Sequence, residues 1–552
     1  MKKIVFWSTS LLLLFVYLFL NFSDPNAKIG QIFHKACQEV IAAQQMESSS
    51  YTSAFKLYNN AASKLNNITT KYSSSEIALN LFRNQQKVGP YPFLEFKEEI
   101  IPQAKLKAEA ENDPTDCAFY AVNLLDTVPF EDKLKLKKAA KLTEISLRYS
   151  QLWRFKKSNS VMTEGKLIVQ TIYSDPFKVN AFTEMAGILG KAGKEKDALQ
   201  LLSQAITIVE NMPDDQQAPA LNRIITVYCS MDEFESALKI INNSSTPDGA
   251  WAIISQQYAA KGKLKLALET LENIEVTNLL DETLLVIIGQ HAANSQFDKA
   301  EELLAKLNPL NITRKVKALA DIGYYAGKDG QKDLAVDFFG QAVKAANQFE
   351  SYQLPQKLSV LNYIVFRFIE LQDYQNARKL LDSNTKLAKN MSEFNRAEAF
   401  AKIAVAYGLI GDPENALQLV KKYIPDYLTL DIRGATLAKL ALQYADHGEY
   451  EKALELAVQI DESTLLEYNR SSVLSQIAIS SATAHDFQTA LEIAKKIDSS
   501  FYRPWTFSEI ALLIPNKRLP FSKKSQIKQY LHQIISELEP QNPGKSLPLM
   551  DK

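Results

Sequence analysis

Cysteine is scarce in this chain: Cys37, Cys117 and Cys229 are the only three in 552 residues, and no two form a C-x-x-C pair. A disulfide-stapled scaffold and a thiolate metal cluster are both excluded by that count. Histidine is nearly as rare. The five residues show no H-x-x-H or H-x-x-x-H spacing, so no helical metal motif is present and no metal or other cofactor is expected. Glycine numbers 18, about half its usual share, which suits long helices joined by short turns. The glycine-bearing signatures G-x-x-x-x-G-K, G-x-G-x-x-G and G-x-S-x-G are all missing. An excess of either charge is missing too. Lys plus Arg and Asp plus Glu both count 63, so no global field attracts nucleic acid, and none is expected as a partner.

One long apolar run is present. Lys2 and Lys3 precede Ile4 to Phe22, nineteen residues without a charge. That is long enough to span a bilayer as a helix. The small-residue pairs that cleavage requires are poor here, since Ser23 would pair with Asn21 and Ala27 with Pro25. Residues 1–27 therefore read as a signal anchor or a cleaved signal peptide. Either way the body is exported: membrane-tethered as a single-pass protein, periplasmic or extracytoplasmic, or secreted if the segment is cut.

The rest of the chain repeats itself. Aligned on Ala453, Gly448 lies five residues before, Tyr444 nine before and Ala441 twelve before. The same frame recurs at Ala416, with Gly411, Tyr407 and Ala404, and at Ala267, with Gly262, Tyr258 and Ser255. Weaker copies centre on Ala198, Ala237, Ala300, Ala335, Ala377 and Ala490, at separations of 30 to 42 residues. A period of this size signals an array of helix pairs. The small residue at Ala404 or Ala441 lets a second helix approach, and Ala416 or Ala453 is its counterpart on that helix. The turn slot asks for left-handed backbone. Gly193, Gly262, Gly330, Gly411 and Gly448 suit it, Asp232 and His485 tolerate it, and Ser295 and Gln372 fit it less well.

Small residue, Tyr three later, Gly seven later, an aromatic nine later and Ala twelve later is similar to the tetratricopeptide repeat. The resemblance covers roughly residues 175 to 500, and the units of Ala416 and Ala453 carry it best. It implies an all-α, right-handed α-solenoid of stacked antiparallel helix pairs. The family's aromatic four residues after the fixed alanine is replaced by Val420 and Ala457, and the spacing strays from the usual one, so longer helices or loops are expected. The organisation that follows is 28–170 as degenerate hairpins, 171–505 as an array of about nine units, 506–538 as capping helices and 539–552 as a disordered tail.

Residues that could carry chemistry fall within this frame. Asp446, His447 and Glu449 cluster, but His447 simply precedes a turn glycine, and His485 occupies a turn slot itself. Matches to S-x-x-K begin at Ser53, Ser236, Ser383 and Ser525, without the companion elements of a penicillin-binding fold. No catalytic residue is nominated. The family binds peptide carboxylates with Lys and Asn on first helices. The equivalent positions here include Glu398, Ala401, Val405 and Gly408, and Ala435, Ala438, Leu442 and Ala445, so that clamp does not carry over. Glu398, Val405, Leu442 and Asp446 mark the candidate groove. Either it accepts an apolar helix or strand, or neighbouring units fill it. The expectation is a non-catalytic scaffold for protein partners. The alternatives are an obligate subunit of an envelope assembly or secretion complex, and a hydrolase with an unrecognised site.

Overall fold

In a computed structural model the described residues are 25–125, 132–241, 247–425, 430–462, 468–515 and 521–539. The apolar run 4–22 and the tail from 540 lie outside them. Among the described residues no helix is long and apolar enough to cross a membrane. Two compact units are present, one built from the residues up to 126 with 485–495 and 503 onward, the other from 127–484 with 496–502.

The second unit is a stack of antiparallel helix pairs. Its described residues form nine pairs, from Asp132–Gln151 with Phe155–Gln170 to Leu430–Asp446 with Tyr450–Ala457, followed by Arg470–Thr483. Each first helix packs on its own second helix and on the first helix of the next pair, and each second helix also touches that next first helix. This three-way contact repeated along the chain is an all-α solenoid. One apolar core runs unbroken from Ala139 to Ile364.

The pair crossings are built from residues of minimal bulk. Ala404 and Ala416, and Ala441 and Ala453, are fully buried. At the equivalent crossing a Cβ added to Gly323 would stand 3.3 Å from the carbonyl oxygen of Ala335. Serine at this place must satisfy its hydroxyl, and the partner helix supplies the acceptor. Ser255 donates to the Ala267 carbonyl at 2.7 Å and Ser146 to the Ser158 carbonyl at 2.9 Å.

All nine turn slots have positive φ: 72° to 81° at the five glycines and 58° to 66° at Asp232, Ser295, Gln372 and His485. The hydrogen bonds explain the selection. Gly448 N–H donates to the Ala445 carbonyl and Glu449 N–H to the Tyr444 carbonyl, both at 2.9 Å. This is the Schellman arrangement, which closes the last carbonyls of a helix through one left-handed residue. Gly411 and Asp412 do the same with Gly408 and Tyr407, and Ser295 and Gln296 with Ala292 and His291. Ser295 and Gln372 therefore hold the conformation despite their side chains, because the two bonds determine it.

The uneven period also has a cause. Seven of the nine first helices have seventeen residues, Asp175–Lys191, Asp214–Ser230, Thr277–Ala293, Ile312–Lys328, Leu354–Glu370, Glu393–Leu409 and Leu430–Asp446, while Asp132–Gln151 has twenty and Pro247–Ala260 fourteen. Second helices vary, eight residues in Phe234–Ile241 and Leu264–Leu271 but fifteen in Lys332–Ala346 and Tyr374–Ala388. The row that must stack mostly keeps one length. The row beside it is free to change.

The first unit opens on a long hairpin, Pro25–Glu47 against Tyr51–Lys71, with Ala54, Tyr58, Ala61 and Leu65 in its core. In the first helix of this hairpin Ala43 is fully buried. The only strands among the described residues follow, Lys87–Val88 paired antiparallel with Tyr91–Pro92. Helix Ile101–Asn112 gives way at Asp113, whose carboxylate caps Thr115 and Asp116 of Pro114–Asn123. Phe521–Leu538 packs on both of these helices and on Phe487–Ala494.

Candidate interaction surface

The first-helix row is where the sequence places a groove, and Glu398 and Asp446 are exposed on it while Val405 and Leu442 are half-buried. The small residues between them are occupied from the next unit. A Cβ on Gly408 would fall 2.2 Å from Gln443 Oε1 and 2.8 Å from Leu440 Cδ2. Gln443 Nε2 in turn donates to the Val405 carbonyl at 3.2 Å. The slot three before the turn is filled in the same way elsewhere. At Gly190 the Met231 sulfur lies 2.5 Å from a built Cβ, and at Gly327 a Leu371 methyl lies at 2.8 Å. In these units neighbouring first helices interlock, which leaves the flanks at Glu398 and Asp446 as the accessible part of the row. His447, exposed beside them, places Nδ1 2.7 Å from the Gln443 carbonyl, a bond within its own helix. Among the described residues no three His, Cys, Asp or Glu side chains gather as a metal site.

A polar knot on two consecutive first helices escaped the sequence reading. Asp321 is buried and accepts from the Tyr363 hydroxyl at 2.6 Å and from Arg367 Nε at 2.7 Å. Arg367 also donates to Tyr363 Oη and to Glu370, and its guanidinium lies 5.0 Å from the ring centres of both Tyr324 and Tyr363. Burial, and then the Asp321 carboxylate, push the Tyr363 hydroxyl well above the usual phenol range. These residues recur nowhere in the repeat. The one signal that could have found them is the i, i+4 spacing of Tyr363 and Arg367.

A cavity of about 650 Å³ opens at the turn of the Ala300 unit, lined among others by His291, Ser295, Phe297, Glu302 and Gln331. His291 stands where other units have tyrosine. Its Nδ1 meets Gln296 Oε1 at 2.6 Å, and its Nε2 is buried with no protein partner.

The first unit holds a different arrangement. Glu111, 1% exposed, accepts from the backbone of Tyr51 (3.1 Å) and Thr52 (2.9 Å), from the Thr52 and Ser50 hydroxyls, and lies 3.0 Å from His532 Nδ1. Lys528 adds its ammonium at 3.4 Å. The carboxylate thus closes the open N–H groups at the start of Tyr51–Lys71 from another helix. Burial opposes its charge, but the Thr52 bonds, His532 and Lys528 outweigh it and hold the carboxyl below its ordinary value. A cavity of about 820 Å³ adjoins this cluster, lined by Gln44, Tyr51, Gln529, His532 and Gln533 among others. No serine of the S-x-x-K matches takes part in it except through the helix cap, where Ser53 N–H donates to Ser50.

No family model matches the chain, and no curated protein matches it. Among solved structures, Ton1535 from Thermococcus onnurineus NA1 is 16% identical over 76% of this chain and 97% of its own, with a TM-score of 0.19. A monomeric IFIT1 mutant with m7Gppp-AAAA is 12% identical over 74% and 100%, with a TM-score of 0.24. A circular tandem repeat protein with novel repeat topology is 10% identical over 93% and 97%, with a TM-score of 0.15. Scores this low carry no argument, and the fold rests on the helix packing described above.

Proposed function

We propose that this chain is a non-catalytic, tetratricopeptide-like scaffold that binds a protein partner along the flanks of its first-helix row and is held at, or exported across, a membrane through residues 4–22. The observation that carries the reading is that seven of nine first helices share one length, beside second helices that vary from eight to sixteen residues. A surface kept in register over many units suits an extended partner segment. The interlocked slots at Gly408 and Gly327 keep that segment from entering deeply, so recognition falls to Glu398, Asp446 and their neighbours. Photo-cross-linking residues placed at Glu398 and Asp446, with one at exposed Val336 on a second helix as the control, test it in intact cells. A discrete adduct from the first two sites alone is expected, and equal labelling at all three would sink the reading. N-terminal sequencing of the mature protein tests the tether, and a start near residue 24 or 28 would replace it with a secreted protein.

A further inference from the structure

The helix pair that begins the second unit breaks the repeat's own rule at its turn. Trp153 occupies the slot held elsewhere by Gly193, Gly330 or Gly448, with φ of 60°. The Schellman bonds are intact, Trp153 N–H to the Ser150 carbonyl at 3.0 Å and Arg154 N–H to the Tyr149 carbonyl at 2.9 Å. A bulky side chain in left-handed backbone is strained. The strain gains nothing for the core, because Trp153 is 81% exposed. Phe155, 53% exposed, meets its edge with ring centres 5.9 Å apart. Two large rings therefore stand in solvent at one tip.

Cations flank them along the chain and recur on the next turn. The stretch Trp153-Arg154-Phe155-Lys156-Lys157 carries three, and the neighbouring turn carries Lys191, Lys194 and Lys196 against Glu195 and Asp197. Successive turns lie side by side, as Lys261 shows by reaching Asp232 of the preceding turn at 2.7 Å. Lys156, Lys191, Lys194 and Lys196 are exposed, and among the described residues none has a carboxylate partner. On the next turn along, Asp232 is already engaged by Lys261 and Lys263.

From this juxtaposition we infer that the tip formed by Trp153, Phe155 and the lysines of the 191–196 turn docks on an anionic lipid surface. Indole and phenyl rings favour the boundary between headgroups and acyl chains, and clustered lysines are drawn to negative headgroups. An acidic protein would be met by the lysines alone and would leave the two rings, and the strain that presents them, without use. The inference deepens the tethered version of the proposed function but stands on residues outside the 4–22 segment.

The test uses the full chain with vesicles of phosphatidylcholine alone and vesicles in which about a third of the lipid is phosphatidylserine. Binding to both alike reports residues 4–22, and the increment on anionic vesicles reports the tip. That increment is expected to fall about tenfold in Trp153→Gly and about a hundredfold in a Lys191→Glu, Lys194→Glu, Lys196→Glu variant. Trp153→Gly relieves the left-handed strain, so its unfolding midpoint is expected to stay or rise. Brominated acyl chains should quench a component of tryptophan emission that Trp153→Phe lacks. The inference is overturned if neutral and anionic vesicles bind equally, which would still leave the tether reading standing. It is equally overturned if Trp153→Gly lowers the midpoint, which would assign the ring to the fold, or if polyglutamate shifts the emission while vesicles do not.

Discussion

Gln443 reaches across from one first helix to the next and fills the space above Gly408, its Oε1 lying 2.2 Å from where a Cβ would stand. Its Nε2 completes the contact by donating to the Val405 carbonyl. Val405, which marks the groove, and Gly408 one turn on are thus joined to the neighbouring unit by one amide.

Gly408→Ala should displace the Gln443 amide and break its bond to Val405. The expected loss is about 1–3 kcal/mol, the range for overpacking a tight contact. Gly193→Ala, with open space at its Cβ, meets backbone strain alone and should lose about 1 kcal/mol. Hydrogen exchange along 400–450 separates the two, because only Gly408→Ala should loosen the 430–446 helix.

Ser295 and Gln372 hold positive φ with side chains that resist it. Ser295→Gly and Gln372→Gly should each stabilise the array, by up to about 1 kcal/mol once glycine's looser unfolded chain is set against the relieved strain. Thermal unfolding of each variant checks this. A lowered midpoint for Gln372→Gly would mean that its side chain contributes more than the strain removes.

The Glu111 cluster predicts a pH dependence with a definite sign. The folded state holds this carboxyl below its ordinary value, so the associated stability is present above pH 4–5 and is lost as pH falls through the depressed folded value. Glu111→Gln should remove about 2–4 kcal/mol at neutral pH, because it leaves Lys528 and the Thr52 amide without their shared acceptor. It should also flatten the acid limb of a melting-temperature profile below about pH 5. A variant with the wild-type acid limb would refute the assignment.

Asp321→Asn should loosen the Arg367 guanidinium from its place between two tyrosine rings. A cost of about 2–3 kcal/mol is expected, with protection lost in both the 312–328 and 354–370 helices. Arg367→Lys should rescue little, since a single ammonium cannot serve Asp321, Glu370 and Tyr363 together.

What could be read from the chain was whatever recurs for a backbone reason. Ala404 with Ala416, and Ala441 with Ala453, repeat because two helices must cross. The turn residues repeat because one left-handed residue closes each first helix. Unrepeated contacts over long separations left no trace. Asp321 and Arg367 are 46 residues apart, and Glu111 and His532 are 421 apart. Each is an ordinary charged residue on an ordinary helix until the packing brings its partner in. Gly408 was visible as a small first-helix residue, but no feature of the repeat singled out its neighbour Gln443. Only the approach of consecutive first helices shows that the glycine makes room for that amide and not for a ligand.

The contrast between first helices that mostly share one length and second helices of several bears on how such a gene can change. A codon gained or lost in the outer row alters the outline of one module and shifts no neighbour, whereas the same event in a seventeen-residue helix throws the next layer out of step. Insertions and epitope tags should therefore be tolerated at the ends of Tyr374–Ala388 or Lys332–Ala346, and should be poorly tolerated anywhere in Glu393–Leu409.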